Sequence, residues 1–164
     1  MLNQIRPALM LLLLMTVVTG LIYPLAITGV AQLLWPDAAH GTLLRRDDVV
    51  IGSALIGQSF ANPAYFHSRP SAAGKGYDGI ASGGTNLGPT SRALLDAVRE
   101  RVAAARAGRS AGSVPADLVT SSGSGLDPHL SVAAAEWQVD RIAHARGVPA
   151  DSIRQLVAQH IEGR

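Results

Sequence analysis

The chain has 164 residues, 48% of them hydrophobic and 16% charged, with a formal net charge of +2 and no cysteine. That length allows one ordinary domain with a short extra segment, and the absence of cysteine rules out a disulfide framework while leaving the redox compartment open. Aromatics are only 4% and the basic residues, all Arg except Lys75, are scattered. A nucleic-acid partner, which needs clustered basic residues and stacking platforms, is therefore not expected.

Charge is distributed unevenly. Every acidic residue, and every basic residue except Arg6, lies after Pro36. Between Ala8 and Leu34 there is no charge, and Leu, Ile and Val dominate. Each such aliphatic contributes roughly −0.3 to −0.6 kcal/mol to insertion, so the stretch favours the bilayer even with Thr16, Thr19 and Gly20 counted against it. A cleaved signal peptide would carry a shorter apolar region, about 7–15 residues, and a small-residue cleavage site that is absent here. The organisation expected is a tail at 1–7, a transmembrane helix in contact with lipid at 8–35, and a soluble domain at 36–164. Thr16, Gly20, Pro24 and Thr28 recur every four residues and would share a face where another helix can approach closely. Trp35 suits an interfacial anchor. Arg6 and the amino terminus on one side balance Arg45 and Arg46 on the other, so charge alone leaves the orientation open.

Val49–Gly57 is rich in β-formers and Ala64–Ser68 alternates weakly, so both read as strands. Six glycines between Arg69 and Pro89 are too dense for a helix or strand and predict a long loop. From Thr90 the positions Leu94, Leu95, Val98 and Val102 keep a helical period, with Thr90 or Ser91 as cap and Gly108 as stop. Gly108–Pro115 reads as a surface connector and Asp117–Thr120 as a short strand. Ser131 caps a second helix that runs to Gly147, and a third helix follows Pro149. The mixed order predicts an α+β class: one N-terminal transmembrane helix followed by a small mixed α/β soluble domain.

No motif carries catalysis. Around Lys75 a phosphate-cradling loop would need Gly in place of Arg69 and Ser or Thr in place of Gly76. No serine has the flanking glycines of a nucleophile elbow. Asp127 and His129, with Ser124 and His67, permit a triad to be drawn, but Asp before Pro more often starts a turn or cap. Histidine spacing offers no zinc site. No catalytic residue and no metal site are expected. The Ser121-Ser122-Gly123-Ser124-Gly125 run is a weak candidate for anion or nucleotide contact through its backbone N–H groups.

Taken in order, Tyr23-Pro24, Gly52–Gln58, Tyr65–Ser71, Ser82–Pro89 and Asp117–His129 resemble the C subunit family of the bacterial high-affinity potassium-transporting ATPase, the Kdp complex. The similarity runs nearly end to end, with Thr85 standing where Ser is expected and Val132 where Pro is. The resemblance implies an accessory subunit in the inner (plasma) membrane, with its N-terminus cytoplasmic and its domain periplasmic or extracellular. The partners implied are a channel-like potassium-binding subunit and a P-type ATPase subunit. It also implies a catalytic chaperone that raises the pump's ATP affinity, with no tightly bound cofactor and ATP met only in complex with the pump subunit. A domain beyond Trp35 would lie across the membrane from cytoplasmic ATP. The alternative is an outer-side structural or gating subunit that covers the potassium entrance without nucleotide contact. Gln58, Arg69, Asn86, Asp127 and His129, polar and in predicted loops, are the residues expected to organise those loops or meet a partner.

Overall fold

The computed structural model describes residues 2–107 and 112–163. The fold is α+β, with one long apolar N-terminal helix and a small domain of helices and a two-stranded sheet. The chain forms two compact units, Met1–Ala54 and Leu55–Arg164.

In the first unit the helical run Ile5–Leu34 is 30 residues long, about 45 Å at 1.5 Å per residue and enough to cross a hydrocarbon core of about 30 Å. It comprises α1 (Ile5–Val17), a π-turn (Val18–Ile22) and α2 (Tyr23–Leu34). The π-turn ends two residues before Pro24, which has no N–H to give and whose ring crowds the carbonyl four residues back. Widening that turn, with the Tyr23 N–H reaching Val18 O, keeps the run helical through the proline. Thr16 and Thr19 donate their hydroxyls to Leu12 O (2.8 Å) and Met15 O (2.6 Å), so neither leaves an unpaired hydroxyl in an apolar setting. No residue of α1 or α2 is buried.

The short α3 (Pro36–Ala39) follows Trp35, and then an antiparallel hairpin, β1 (Leu43–Arg46) and β2 (Val49–Ser53). The two-residue turn places Asp47 (φ 50°) and Asp48 (φ 62°) in the left-handed region, the conformation that matches strand twist in tight hairpins. Register runs from Leu43↔Ser53 to Arg46↔Val49, with Ile51 as the extra residue of a bulge opposite Leu44 and Arg45. The expected strand at 49–57 thus ends at Ser53, and β1 is a strand that sequence reading passed over.

The second unit carries α4 (Arg92–Ala105), α5 (Val132–Arg146) and α6 (Ala150–Gln159), which match the three expected helices. Ser131 caps α5 by accepting the Ala134 N–H at 3.2 Å, and Gly147 ends it in the left-handed conformation (φ 66°). Ser91 occupies the cap position of α4 without a side-chain cap bond. The expected stop at Gly108 and the start of the Gly108–Pro115 connector lie outside the described residues. The core is small: Val139, Ile142 and Ala143 of α5 with Ile153 of α6, flanked by Phe66, Ala150 and Val157.

Two expected strands are absent. Asp117–Thr120 instead overlaps a 3-10 turn (Ala116–Leu118) and its exit, stabilised because the Asp117 carboxylate accepts the Ser131 N–H at 2.7 Å and the Thr120 hydroxyl donates to Ala116 O at 2.8 Å. Ala64–Ser68 joins no sheet because side chains of α5 satisfy its backbone. Gln138, 4% exposed, accepts the His67 N–H (2.7 Å) and donates to His67 O (3.1 Å). Arg141 donates to Tyr65 O (3.0 Å) and to Pro63 O, and Arg146 donates to Ala64 O (2.7 Å).

Candidate functional site: a loop platform around Arg69

The long loops of the second unit lack regular structure, so their polar backbone must find partners elsewhere. Arg69 supplies several. Its guanidinium donates to Asp127 Oδ2 (3.3 Å), Ser121 O (3.3 Å) and Thr120 O (3.5 Å). One half-buried side chain therefore ties the 69–77 loop to the 117–129 loop. Asp127 in turn accepts the His129 N–H at 3.0 Å through Oδ1, which also lies 3.1 Å from His129 Nδ1.

The same two loops meet again at Ser71, whose hydroxyl donates to Gly125 O (2.6 Å) and accepts the N–H groups of Tyr77 (2.7 Å) and Ala73 (3.2 Å). The Tyr77 hydroxyl donates to Arg69 O. Gly125 (φ 68°) sits so close that a Cβ there would lie 2.7 Å from both Ala73 N and Gly83 O, so only glycine fits. A third loop joins where Gly83 N–H and the Ser82 hydroxyl donate to Ser124 O (2.8 and 3.0 Å).

Electrostatics follows the same geometry. Burial pushes the Asp127 carboxyl up, but the His129 hydrogen bonds and the Arg69 charge outweigh it and hold the group below its ordinary range. Burial likewise pushes the Asp117 carboxyl up, but the Ser131 hydrogen bonds and then the Arg69 charge outweigh it and hold the group below its ordinary range. Burial raises the Tyr77 phenol; Ser68 and Arg69 oppose that while Asp127 adds to it.

The structure brings Arg69, Asp127, His129 and the Ser121–Gly125 run into one network, and Gln58 lines a cleft of about 250 Å³ together with His67, Arg69, Ser71 and Tyr77. Asn86 is exposed, adopts φ 52° and takes no part in the network. The Ser121–Gly125 run spends three of its carbonyls on loop contacts, and Ser122 is buried. Ser124 Oγ accepts the Leu126 N–H, and among the described residues no serine hydroxyl bonds a histidine. Thr16, Gly20, Pro24 and Thr28 lie along the apolar helix of the other unit. Gln138 and Arg141 were missed in sequence, where they look like solvated positions on a mid-helix face.

Residues 5–164 match the family described as KdpC: K+-transporting ATPase, c chain. The potassium-transporting ATPase KdpC subunit of Polaromonas naphthalenivorans is 55% identical over 163 residues, covering 98% of this chain and 83% of that protein. The corresponding subunit of Rhodospirillum rubrum is 52% identical, covering 100% and 86%. That of Sorangium cellulosum is 54% identical, covering 100% and 88%.

Proposed function

The chain belongs to the family of the K+-transporting ATPase c chain, the KdpC subunits, and from that membership we propose that its folded head works on the outer side of the membrane and acts on ATP use at a distance. It is an accessory subunit of the potassium uptake complex. The helix Ile5–Leu34 crosses the inner membrane with the N-terminus cytoplasmic, and the Thr16, Gly20, Pro24, Thr28 face receives a helix of the channel-like subunit. The head meets that subunit and the P-type ATPase subunit through the loop platform. Once so placed it raises the pump's ATP affinity by favouring a conformation of the membrane subunits, without touching nucleotide.

The observation that carries this reading is the knitting of the 69–77, 82–84 and 117–129 loops by Arg69, Ser71, Asp127 and Gly125. Groups that would serve chemistry are spent on holding one shape, as a preorganised docking surface requires. The test compares complexes purified with and without this subunit. The KM for ATP is expected to rise several-fold without it, while the isolated subunit shows no ATP-dependent NMR shifts at millimolar ATP. Shifts confined to Ser121–Gly125 would overturn the action at a distance and favour direct nucleotide contact.

A further inference from the structure

A two-stranded hairpin standing alone in water is marginal, yet none of the residues of β1 and β2 is buried. Leu43, Leu44, Val49 and Val50 are each 44–64% exposed. Cross-strand pairing sets Leu43 and Val50 with Arg45 on one face and Leu44 and Val49 with Arg46 on the other, so each face carries two exposed aliphatics beside an arginine.

The position of the hairpin is fixed by the chain. It begins at Leu43, nine residues beyond the last residue of α2, on a tether of at most about 30 Å even if fully extended. That tether is folded back on itself: Ala39 N–H donates to Trp35 O (2.9 Å), His40 N–H to Pro36 O (3.0 Å), Gly41 N–H to Ala38 O (3.0 Å) and Thr42 N–H to Asp37 O (2.9 Å). The Ser53 hydroxyl then donates to Gly41 O (2.6 Å) and the Ala54 N–H to Thr42 O (3.1 Å), which locks the hairpin base to the turn that leaves the helix. Helix and hairpin belong to one compact unit.

We propose that this hairpin is a membrane-surface foot: its aliphatic side chains lie in the headgroup and upper acyl region of the lipid bilayer. Arg45 and Arg46 reach lipid phosphates from there, and Trp35 stands at the same level. Exposed aliphatics next to arginines, held a few residues past an apolar helix, match the interfacial chemistry of lipid. Asp47 and Asp48 sit at the turn farthest from the base, where they stay in water. The foot fixes the height at which the chain leaves the bilayer. The inference rests on the helix Ile5–Leu34 spanning the membrane.

Because the chain has no cysteine, single cysteines at Leu44→Cys, Leu14→Cys and Ser152→Cys can each carry an environment-sensitive fluorophore. The whole complex and the full chain alone are placed in vesicles of phosphatidylethanolamine and phosphatidylglycerol brominated near the top of the acyl chains or deep within them. The expected result is several-fold quenching at position 44 by the shallow bromines, quenching at position 14 by the deep ones and none at position 152. Emission at position 44 equal to that at position 152 in the chain alone would overturn the foot, as would loss of quenching at position 44 in the complex, which would mean that protein covers it. Loss of deep quenching at position 14 would instead overturn the spanning helix.

Discussion

Gln138 does for Ala64–Ser68 what a neighbouring strand would otherwise do. Its buried amide pairs with both the N–H and the C=O of His67, so removing it strands two backbone groups at once. With each unsatisfied group costing about 1–3 kcal/mol, Gln138→Ala is expected to lower unfolding stability by roughly 2–4 kcal/mol in denaturant titration, while Gln138→Glu recovers only the acceptor half. The carboxylates predict an acid limit. Asp117 and Asp127 both titrate below their ordinary value of 3.8 in the fold, so the fold binds their protons less readily than the unfolded chain does. Their contribution is whole above that value and is lost as pH falls through the lowered folded values. Unfolding midpoints should be flat from about pH 7 to 5 and drop below about pH 4, and Asp127→Asn should flatten that drop.

At the scale of elements the long helix offers a clean substitution. Gly20 has nothing within 4 Å of where a Cβ would stand, so the chain itself tolerates Gly20→Leu, and any loss of assembly reports a neighbour. Co-purification of this subunit with its complex is expected to fall about tenfold, and unchanged yield and transport would remove that face from the interface. The helices were legible from the sequence because their period, Ser131 and Gly147 are local signals. The hairpin was half legible: Val49–Ser53 carries β-formers, but its partner holds Arg45 and Arg46, and the turn is Asp47-Asp48 instead of the more telling Asn-Gly. Ala64–Ser68 was misread because extended backbone looks alike whether a strand or a distant Gln and two Arg side chains pair with it. Of the site, Arg69, Asp127 and His129 were legible as polar loop residues in family-like blocks. Their convergence with Ser71, Tyr77 and Gly125 was not, because contacts between residues 50–60 positions apart leave no trace in local pattern.

At the scale of the whole molecule, we propose that one apolar helix anchors the chain, a hydrogen-bonded set of loops gives the head its shape, and the effect on ATP passes through the subunits between this head and the nucleotide. All of this turns on the side of the membrane on which the head lies. Single cysteines at the exposed positions Thr85 and Ser152, offered a thiol reagent that cannot cross the membrane, measure this directly in cells whose inner membrane is intact. Full labelling of both positions is expected. Protection that is relieved only when the inner membrane is opened would place the head beside cytoplasmic ATP and contradict the outer-side placement.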